Sequence, residues 1–306
     1  MDTDREAVFQ HLRDLFGRIV STLDDLPKRR RLLDEYFRLD GEIPDIVGTL
    51  IEVDDQRFPL EWVCADNADP DRRILYIHGG SWVSGSFAGY RALASRISKA
   101  AGAAVLLVDY RLAPEHRFPA GLDDCVEAFL WMLGHGPDGP ADARNAFICG
   151  DSAGGNLALA TLLRLQAGQK KLPDAVLALS PATDFTAASP SLQTNAGLDP
   201  IIHPMVYSAL QPVYLGDADP RDPFASPIFG DFSQAPPILL QVGSAEVLLD
   251  DSVRLAEHAR EQGCEVELQV WEGMPHVFQG FAPRLADASR ALEKIGAFVR
   301  QHSIAR

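Results

Sequence analysis

The sequence has little of what would place it in several common classes of protein. Its four cysteines form no CxxC pair, which disfavours a zinc knuckle and a disulfide framework. No apolar run approaches the roughly 18 to 20 residues that span a bilayer, so we expect no stable membrane insertion. The formal net charge of −15 argues against a polyanionic partner such as nucleic acid.

Basic residues are also scarce near the N-terminus. The first ten residues, MDTDREAVFQ, carry acids where a secretory signal needs basic residues, and no small-residue cleavage site follows an apolar core. We therefore expect a cytoplasmic protein. One basic run, residues 28–31, lies in an otherwise acidic segment, and we interpret it as a solvated helix face or turn, with a docking patch as the alternative.

The 306 residues, 46% of them hydrophobic, are sufficient for a large α/β domain. Apolar side chains at helical spacing over residues 8–23 predict a helix that ends near Pro27, before a second helical piece. The predicted strands are TLIEV, LEWVCA, RRILYIH, AAVLLVDY, NAFICG, AVLALSP, PPILLQVG and VELQVWEG, and the predicted helices between the later ones cover residues 121–133, 155–165, 250–261 and 284–301. This alternation predicts a mostly parallel central sheet with helices on both faces.

The stretch GDSAG, residues 150–154, has the pattern G-x-S-x-G. By itself this pattern is weak evidence, but here it follows a strand-like run and precedes a helical one, the context that a nucleophile elbow requires. A serine hydroxyl is a poor nucleophile until a base takes its proton. Ser152 is therefore the predicted nucleophile, and a histidine must lie near it.

Four histidines lie downstream of Ser152, and His276 comes just after the last predicted strand, where a loop can bring it to the elbow. We predict that His276 is the base. An acid must orient its imidazole, and Glu246 is the first acid beyond the strand ILLQVG. Asp250 is the alternative, although Asp250 and Asp251 have the position of carboxylates in the first turn of the next helix.

The sequence HGGS, residues 78–81, ends a buried strand with two glycines. Attack on a carbonyl produces an oxyanion, and rigid backbone N–H groups stabilise it best. Glycines let the backbone approach that closely, so we predict an oxyanion hole formed by Gly79, Gly80 and Ala153, the residue after the nucleophile.

These residues resemble the hormone-sensitive lipase family of α/β-hydrolases, particularly its bacterial esterases and ε-lactone hydrolases. The likeness rests on HGGSW, DYRLAPEHRFPA, GDSAGGN, LSPATD, DPFASP, EVLLDDS and MPHVF. It implies an α/β-hydrolase fold over residues 46–306, with a helical cap built from residues 1–45 and an insertion at about 185–232. It carries the catalytic roles to Ser152, Glu246 and His276. The chain departs from the family at Ser81, where a third glycine is common, and at Glu246-Val247, where Asp-Pro is common.

The function that follows is a serine carboxylesterase acting on a small-molecule ester through an acyl-enzyme, with no metal or organic cofactor. A lactone hydrolase or a deacetylase would use the same triad and stays open. The family also includes plant receptors that lack the base, but His276 is present here. We expect acyl chains of about two to eight carbons, since nothing in the sequence resembles a lipid-docking surface. For the oligomeric state, the sequence leaves a homodimer open. The residues expected to line the pocket are Ser81, Trp82, Phe87, Tyr90, Ile201, Met205 and Tyr207.

Overall fold

The computed structural model describes residues 3–22, 24–39, 45–53 and 58–304, apart from the side chains of residues 206 and 207. The strands are β1 Thr49–Val53, β2 Leu60–Cys64, β3 Asp69–Ile77, β4 Ala103–Val108, β5 His135–Gly136, β6 Gly139–Pro140, β7 Asn145–Asp151, β8 Ala175–Leu179, β9 Ile238–Gly243 and β10 Val266–Trp271. The helices are α1 Thr3–Val20, α2 Leu26–Leu33, α3 Phe87–Ala101, α4 Ala120–Gly134, α5 Ala153–Ala167, α6 Ser191–Thr194, α7 Pro204–Tyr214, α8 Leu249–Glu261 and α9 Ala286–Gln301.

Eight strands form one sheet in the order β1-β2-β4-β3-β7-β8-β9-β10. The six strands from β4 to β10 in that order run parallel, and β2 is antiparallel to both β1 and β4. Strands β4, β7 and β8 are buried along their whole length, as expected for a parallel sheet covered on both faces. The prediction of a mostly parallel sheet is confirmed, and the loops that follow its strands share one edge.

Two hydrophobic cores lie on opposite faces of this sheet. One packs α4, α5 and α8 against it, for example through Phe129 and Leu162. The other packs α3 and α9, through Ile97 and Phe298, and also takes in Leu12 of α1. The N-terminal helix therefore buries its apolar stripe against the body of the domain.

Three elements differ from the sequence expectations. Helix α3 was not predicted, because its buried face consists largely of alanine and serine, such as Ala94 and Ser98, which hide a helical stripe. Pro27 lies in the first turn of α2, where proline is well tolerated, so α2 begins earlier than expected. The two-residue strands β5 and β6 form a separate hairpin. Residue 23, the last of the predicted apolar stripe, lies outside the described residues.

No helix in the described part of the chain has the length and apolar character needed to cross a membrane.

Candidate active site

Ser152 occupies a strained turn between β7 and α5. Its φ of 52° and ψ of −119° lie in a region that residues with a side chain rarely adopt. The Ser152 N–H donates to the Leu179 carbonyl at 2.8 Å, which ties the turn to the end of β8. The serine lines a cavity at the carboxyl edge of the sheet.

The flanking glycines are required by close backbone contacts. A Cβ atom on Gly150 would lie 2.2 Å from the Gly154 carbonyl oxygen, and one on Gly154 would lie 2.0 Å from the Ile77 carbonyl oxygen. Real Cβ contacts are never so short. The G-x-S-x-G spacing thus lets the elbow lie directly against β3.

A short hydrogen bond joins His276 to Glu246. The distance between His276 Nδ1 and Glu246 Oε2 is 2.6 Å, and both side chains are buried. The other carboxylate oxygen, Oε1, accepts from Ser180 Oγ at 2.8 Å and from the Gly243 N–H at 2.6 Å. With both oxygens held, the carboxylate fixes the imidazole ring.

The charge of Glu246 also sets the proton affinity of His276. Burial lowers the pKa of the imidazole, but the carboxylate charge and the hydrogen bond raise it more, so the pKa lies above its usual value. Since Nδ1 faces the acid, Nε2 is the nitrogen left for proton exchange. His276 and Ser152 line the same cavity.

Asp250, the alternative acid, has other partners. Its Oδ2 accepts from the Ser191 N–H at 2.7 Å, and its own N–H donates to Ser191 Oγ at 2.9 Å. The neighbouring Asp251 accepts from the Thr183 N–H at 2.5 Å. Glu246 is therefore the acid that contacts His276, while Asp250 and Asp251 hold the insertion against α8.

The glycine loop after β3 differs from the expectation at Gly79. The Gly79 N–H donates to Asp151 Oδ1 at 3.0 Å, so it is engaged within the protein. Asp151 also accepts from the hydroxyls of Tyr76, at 2.8 Å, and Tyr90, at 3.1 Å. Burial raises the pKa of Asp151 to about 6, and these hydrogen bonds oppose that shift. The next residue, Gly80, has a φ of 116° and lines the cavity.

His78 supports the same loop from behind. Its Nδ1 donates to the Gly79 carbonyl at 2.7 Å, and its ring stacks on Tyr110 with centroids 4.4 Å apart. Burial lowers the pKa of His78 to about 4, so the ring is neutral at neutral pH. His78 therefore braces the glycine loop and does not face Ser152.

Four of the seven predicted pocket residues line the cavity: Ser81, Trp82, Tyr90 and Ile201. Phe87 and Met205 do not line it. Phe87 begins α3 and packs against the core beneath it, and the side chain of Met205 is 75% exposed. The side chain of Tyr207 lies outside the described residues.

The N-terminal helices supply part of the cavity wall, through individual residues that the sequence analysis did not name. The cavity, of about 140 Å³, is lined mainly by apolar side chains. The contributions from α1, α2 and the turn after them are Phe16, Ile19, Val20, Arg29, Leu33, Tyr36 and Phe37. A long apolar stripe was visible, but nothing in it indicated which surface it covers.

Two further polar residues support the site and were missed. The Tyr36 hydroxyl donates to the carbonyl of His276 at 2.7 Å. Ser180 donates to Glu246, and its Oγ accepts from the Val277 N–H at 3.2 Å. Ser180 could have been found as a polar residue at the end of a buried strand, whereas Tyr36 gives no comparable signal.

The basic run is not a uniformly solvated face. Arg30 Nε donates to the Val83 carbonyl at 2.7 Å, just beyond the glycine loop. The same guanidinium donates to the Ala113 carbonyl at 3.1 Å and forms two hydrogen bonds with Glu115, at 3.0 and 2.7 Å. Arg30 thus joins α2 to the loop that contains the glycines.

The described residues contain no group of three or more His, Cys, Asp or Glu side chains that could hold a metal ion.

Comparisons with known proteins identify the fold and the family of the chain. A family model for the alpha/beta hydrolase fold matches residues 74–280. The acetyl-hydrolase of Streptomyces hygroscopicus is 39% identical over 241 residues, which cover 78% of this chain and 79% of that protein. An esterase of Acinetobacter venetianus is 37% identical over 232 residues, covering 76% and 75% respectively.

Among solved structures, that of an esterase from the bacterial hormone-sensitive lipase family has a TM-score of 0.89 and 37% identity, covering 96% of this chain and 98% of that one. Fold and sequence therefore define an α/β-hydrolase, as predicted. More narrowly, the chain belongs to the hormone-sensitive lipase family, and it is a carboxylic ester hydrolase.

Proposed function

We propose that this protein hydrolyses short- to medium-chain acyl esters through an acyl-enzyme on Ser152. The observation that carries the proposal is the buried Glu246–His276 hydrogen bond on the cavity that Ser152 also lines. A carboxylate, an imidazole and a serine in this relation are the parts that nucleophilic acyl transfer needs.

In the proposed mechanism, Ser152 Oγ attacks the ester carbonyl carbon while His276 Nε2 takes the hydroxyl proton. The Glu246 carboxylate stabilises the imidazolium that forms. His276 then returns the proton to the leaving alcohol as the tetrahedral intermediate collapses. Water attacks the acyl-enzyme in the same way, with His276 again accepting and returning the proton, and the carboxylic acid leaves.

The oxyanion is stabilised in this scheme by the N–H groups of Gly80 and Ala153. Ala153 is the first residue of α5, so the helix itself does not use its N–H. The N–H of Gly79 is already bound by Asp151, which gives Gly79 a bracing role instead of the donor role that the sequence predicted.

We propose that residues 1–45 and the insertion at about 185–232 together form the cap. Side chains from α1, α2, Ile201 and Leu210 line the cavity opposite the strand ends, which supports this role.

The apolar lining and the modest volume of the cavity favour acyl chains of about two to eight carbons. No described cavity residue favours a lactone or an N-acetyl group, so both enter the test as substrates.

The test is a chain-length series of p-nitrophenyl esters, from acetate to dodecanoate, with a lactone and an N-acetyl amide beside it. We expect the highest kcat/KM within the short and medium esters, and a loss of about 10⁴-fold or more in Ser152→Ala. Ser233→Ala, at an exposed serine, is the matched control and should retain full activity. If a folded Ser152→Ala variant hydrolysed the esters as fast as the wild type, the assignment of Ser152 as the nucleophile would be wrong.

We also propose that the enzyme is cytoplasmic and that it forms a homodimer. Cell fractionation tests the location, and sedimentation of the purified chain tests the oligomeric state.

A further inference from the structure

One guanidinium lies in the otherwise apolar wall of the active-site cavity. Arg29, on α2, lines the same cavity as Ser152 and His276. Leu33, one helical turn further on, lines it too, as expected for residues four apart on one helix face. The cation thus belongs to the face of α2 that borders the cavity.

This guanidinium has no partner among the residues that the structure describes. Its Nε atom is buried and makes no hydrogen bond, and no ion pair to Arg29 is formed within the described ranges. Arg30, its neighbour, is held by two carbonyls and a carboxylate. The contrast matters in a chain with 43 acidic and only 28 basic residues, where partners for an arginine are abundant.

Arg29 is half-buried, and partial burial of a cation without a partner is unfavourable. Desolvation, followed by repulsion from Arg30, lowers the pKa of the Arg29 guanidinium. Asp151, the acid among the described residues that line the cavity, accepts from the Tyr76 and Tyr90 hydroxyls and the Gly79 N–H, and it forms no ion pair with Arg29. An anion brought by the substrate would supply the missing partner.

We propose that Arg29 binds a carboxylate on the ester substrate, so that the preferred substrates are esters carrying a carboxylate at the end remote from the reacting carbonyl. This inference rests on the proposed function. The planar guanidinium matches a carboxylate with two parallel hydrogen bonds. The apolar lining between Arg29 and the strand-end loops accommodates a methylene spacer between the carboxylate and the ester.

The carboxylate can belong to the acyl part or to the alcohol part, and two matched pairs of esters distinguish them. Monoethyl glutarate and ethyl pentanoate have acyl chains of equal carbon count, with and without the charge. The pair 3-acetoxypropanoate and propyl acetate does the same for the alcohol. Released acid is titrated at constant pH for the wild type, Arg29→Met, Arg29→Lys and Arg31→Met. Arg31 is exposed on the same helix and serves as the control.

The quantity compared is the ratio of kcat/KM for the charged ester to that for its neutral partner. We expect Arg29→Met to lower this ratio on the order of tenfold in one pair. Arg31→Met should leave the ratio unchanged, and Arg29→Lys should retain part of the preference. Because intrinsic reactivity is common to all variants, the change in the ratio reports binding of the charge alone.

The outcomes distinguish carboxylate binding by Arg29 from the ester hydrolysis on which that inference rests. If wild-type enzyme hydrolyses the neutral esters and Arg29→Met leaves both ratios unchanged, the inference is overturned and the esterase stands. An equal loss on charged and neutral esters also overturns it, since Arg29 would then only support the fold. If Arg29→Met does not fold, the ratio in Arg29→Gln, which also removes the charge, decides in the same way. No turnover of any of the four esters by wild type would overturn both.

Discussion

The floor and the wall of the cavity are built differently. The floor consists of the loops at the strand ends, with Gly80, Ser152 and His276. Glu246 lies behind His276, and short hydrogen bonds hold these buried polar side chains. The wall consists of side chains from α1, α2, the turn after α2 and the insertion, and among the described residues it is apolar apart from Arg29 and the Tyr36 hydroxyl. From this difference we expect the floor to carry out the chemistry and the wall to select the ester.

The largest effect should follow from removing the charge of the floor's acid. We expect Glu246→Gln to lower kcat by about 10³- to 10⁴-fold, because the amide no longer stabilises the imidazolium. The negative charge raises the pKa of His276, so its loss should lower that pKa. Activity needs neutral His276, and the acidic limb of the kcat/KM profile should therefore move to lower pH.

Asp250→Asn is the matched control for this change, since Asp250 binds the insertion and not His276. We expect a loss of less than about tenfold and an unmoved acidic limb. If instead Asp250→Asn abolished activity and Glu246→Gln did not, the assignment of the acid would be wrong. Both profiles are measured with one neutral ester from pH 5 to pH 9.

A smaller effect should come from the brace beneath the floor. Asp151→Ala leaves the Gly79 N–H unsatisfied and frees the glycine loop, so we expect kcat to fall about 10- to 100-fold with little change in KM. Asp151→Asn retains an oxygen for Gly79 and should remain within severalfold of wild type. A loss in Asp151→Asn as large as in Asp151→Ala would show that the charge, and not the hydrogen bond, matters.

Asp151 should also affect how the free energy of unfolding depends on pH. The folded-state pKa of Asp151, about 6, lies above its ordinary value of 3.8, so the folded protein binds the proton more tightly than the unfolded chain. The free energy of unfolding contributed by this group therefore falls as pH rises from about 4 to 6. Asp151→Asn should remove that part of the decline, which urea unfolding at a series of pH values would measure against wild type.

The smallest effect should follow from removing Arg30, which joins α2 in the wall to the glycine loop in the floor. Arg30→Met removes the hydrogen bonds to Val83, Ala113 and Glu115, and we expect a loss of about 1 to 2 kcal/mol in unfolding free energy. We also expect a severalfold drop in kcat/KM, because the glycine loop loses an anchor. Arg31→Met, the exposed neighbour, should change stability by less than about 0.5 kcal/mol. If the two substitutions had equal effects, Arg30 would not be a specific link between α2 and the glycine loop.

The floor was largely predictable from the sequence, and particular residues show why. Ser152 sits in a strand-turn-helix context that demands glycine on both sides, and the structure supplies the contacts that exclude a side chain there. His276 and Glu246 follow strands whose ends must share one edge of a parallel sheet. Local pattern and sheet geometry together were enough to bring these side chains to one place.

The wall was less predictable, because it depends on which face of a helix meets which surface. Arg29 and Arg30 are neighbours in one basic run, yet one lines the cavity and the other binds backbone carbonyls across the glycine loop. Met205 was expected to lie inside and is exposed. The pattern of apolar and charged residues along the chain does not determine how each helix is rotated about its axis. Tertiary packing sets that orientation.

The hydrogen bond from Tyr36 to the His276 carbonyl joins positions 240 residues apart in the chain. During synthesis the N-terminal helices leave the ribosome long before the loop that contains His276 exists. The apolar stripe of α1 therefore stays uncovered until the chain as far as His276 has emerged. Until then the nascent chain has no complete site and exposes apolar surface that favours aggregation.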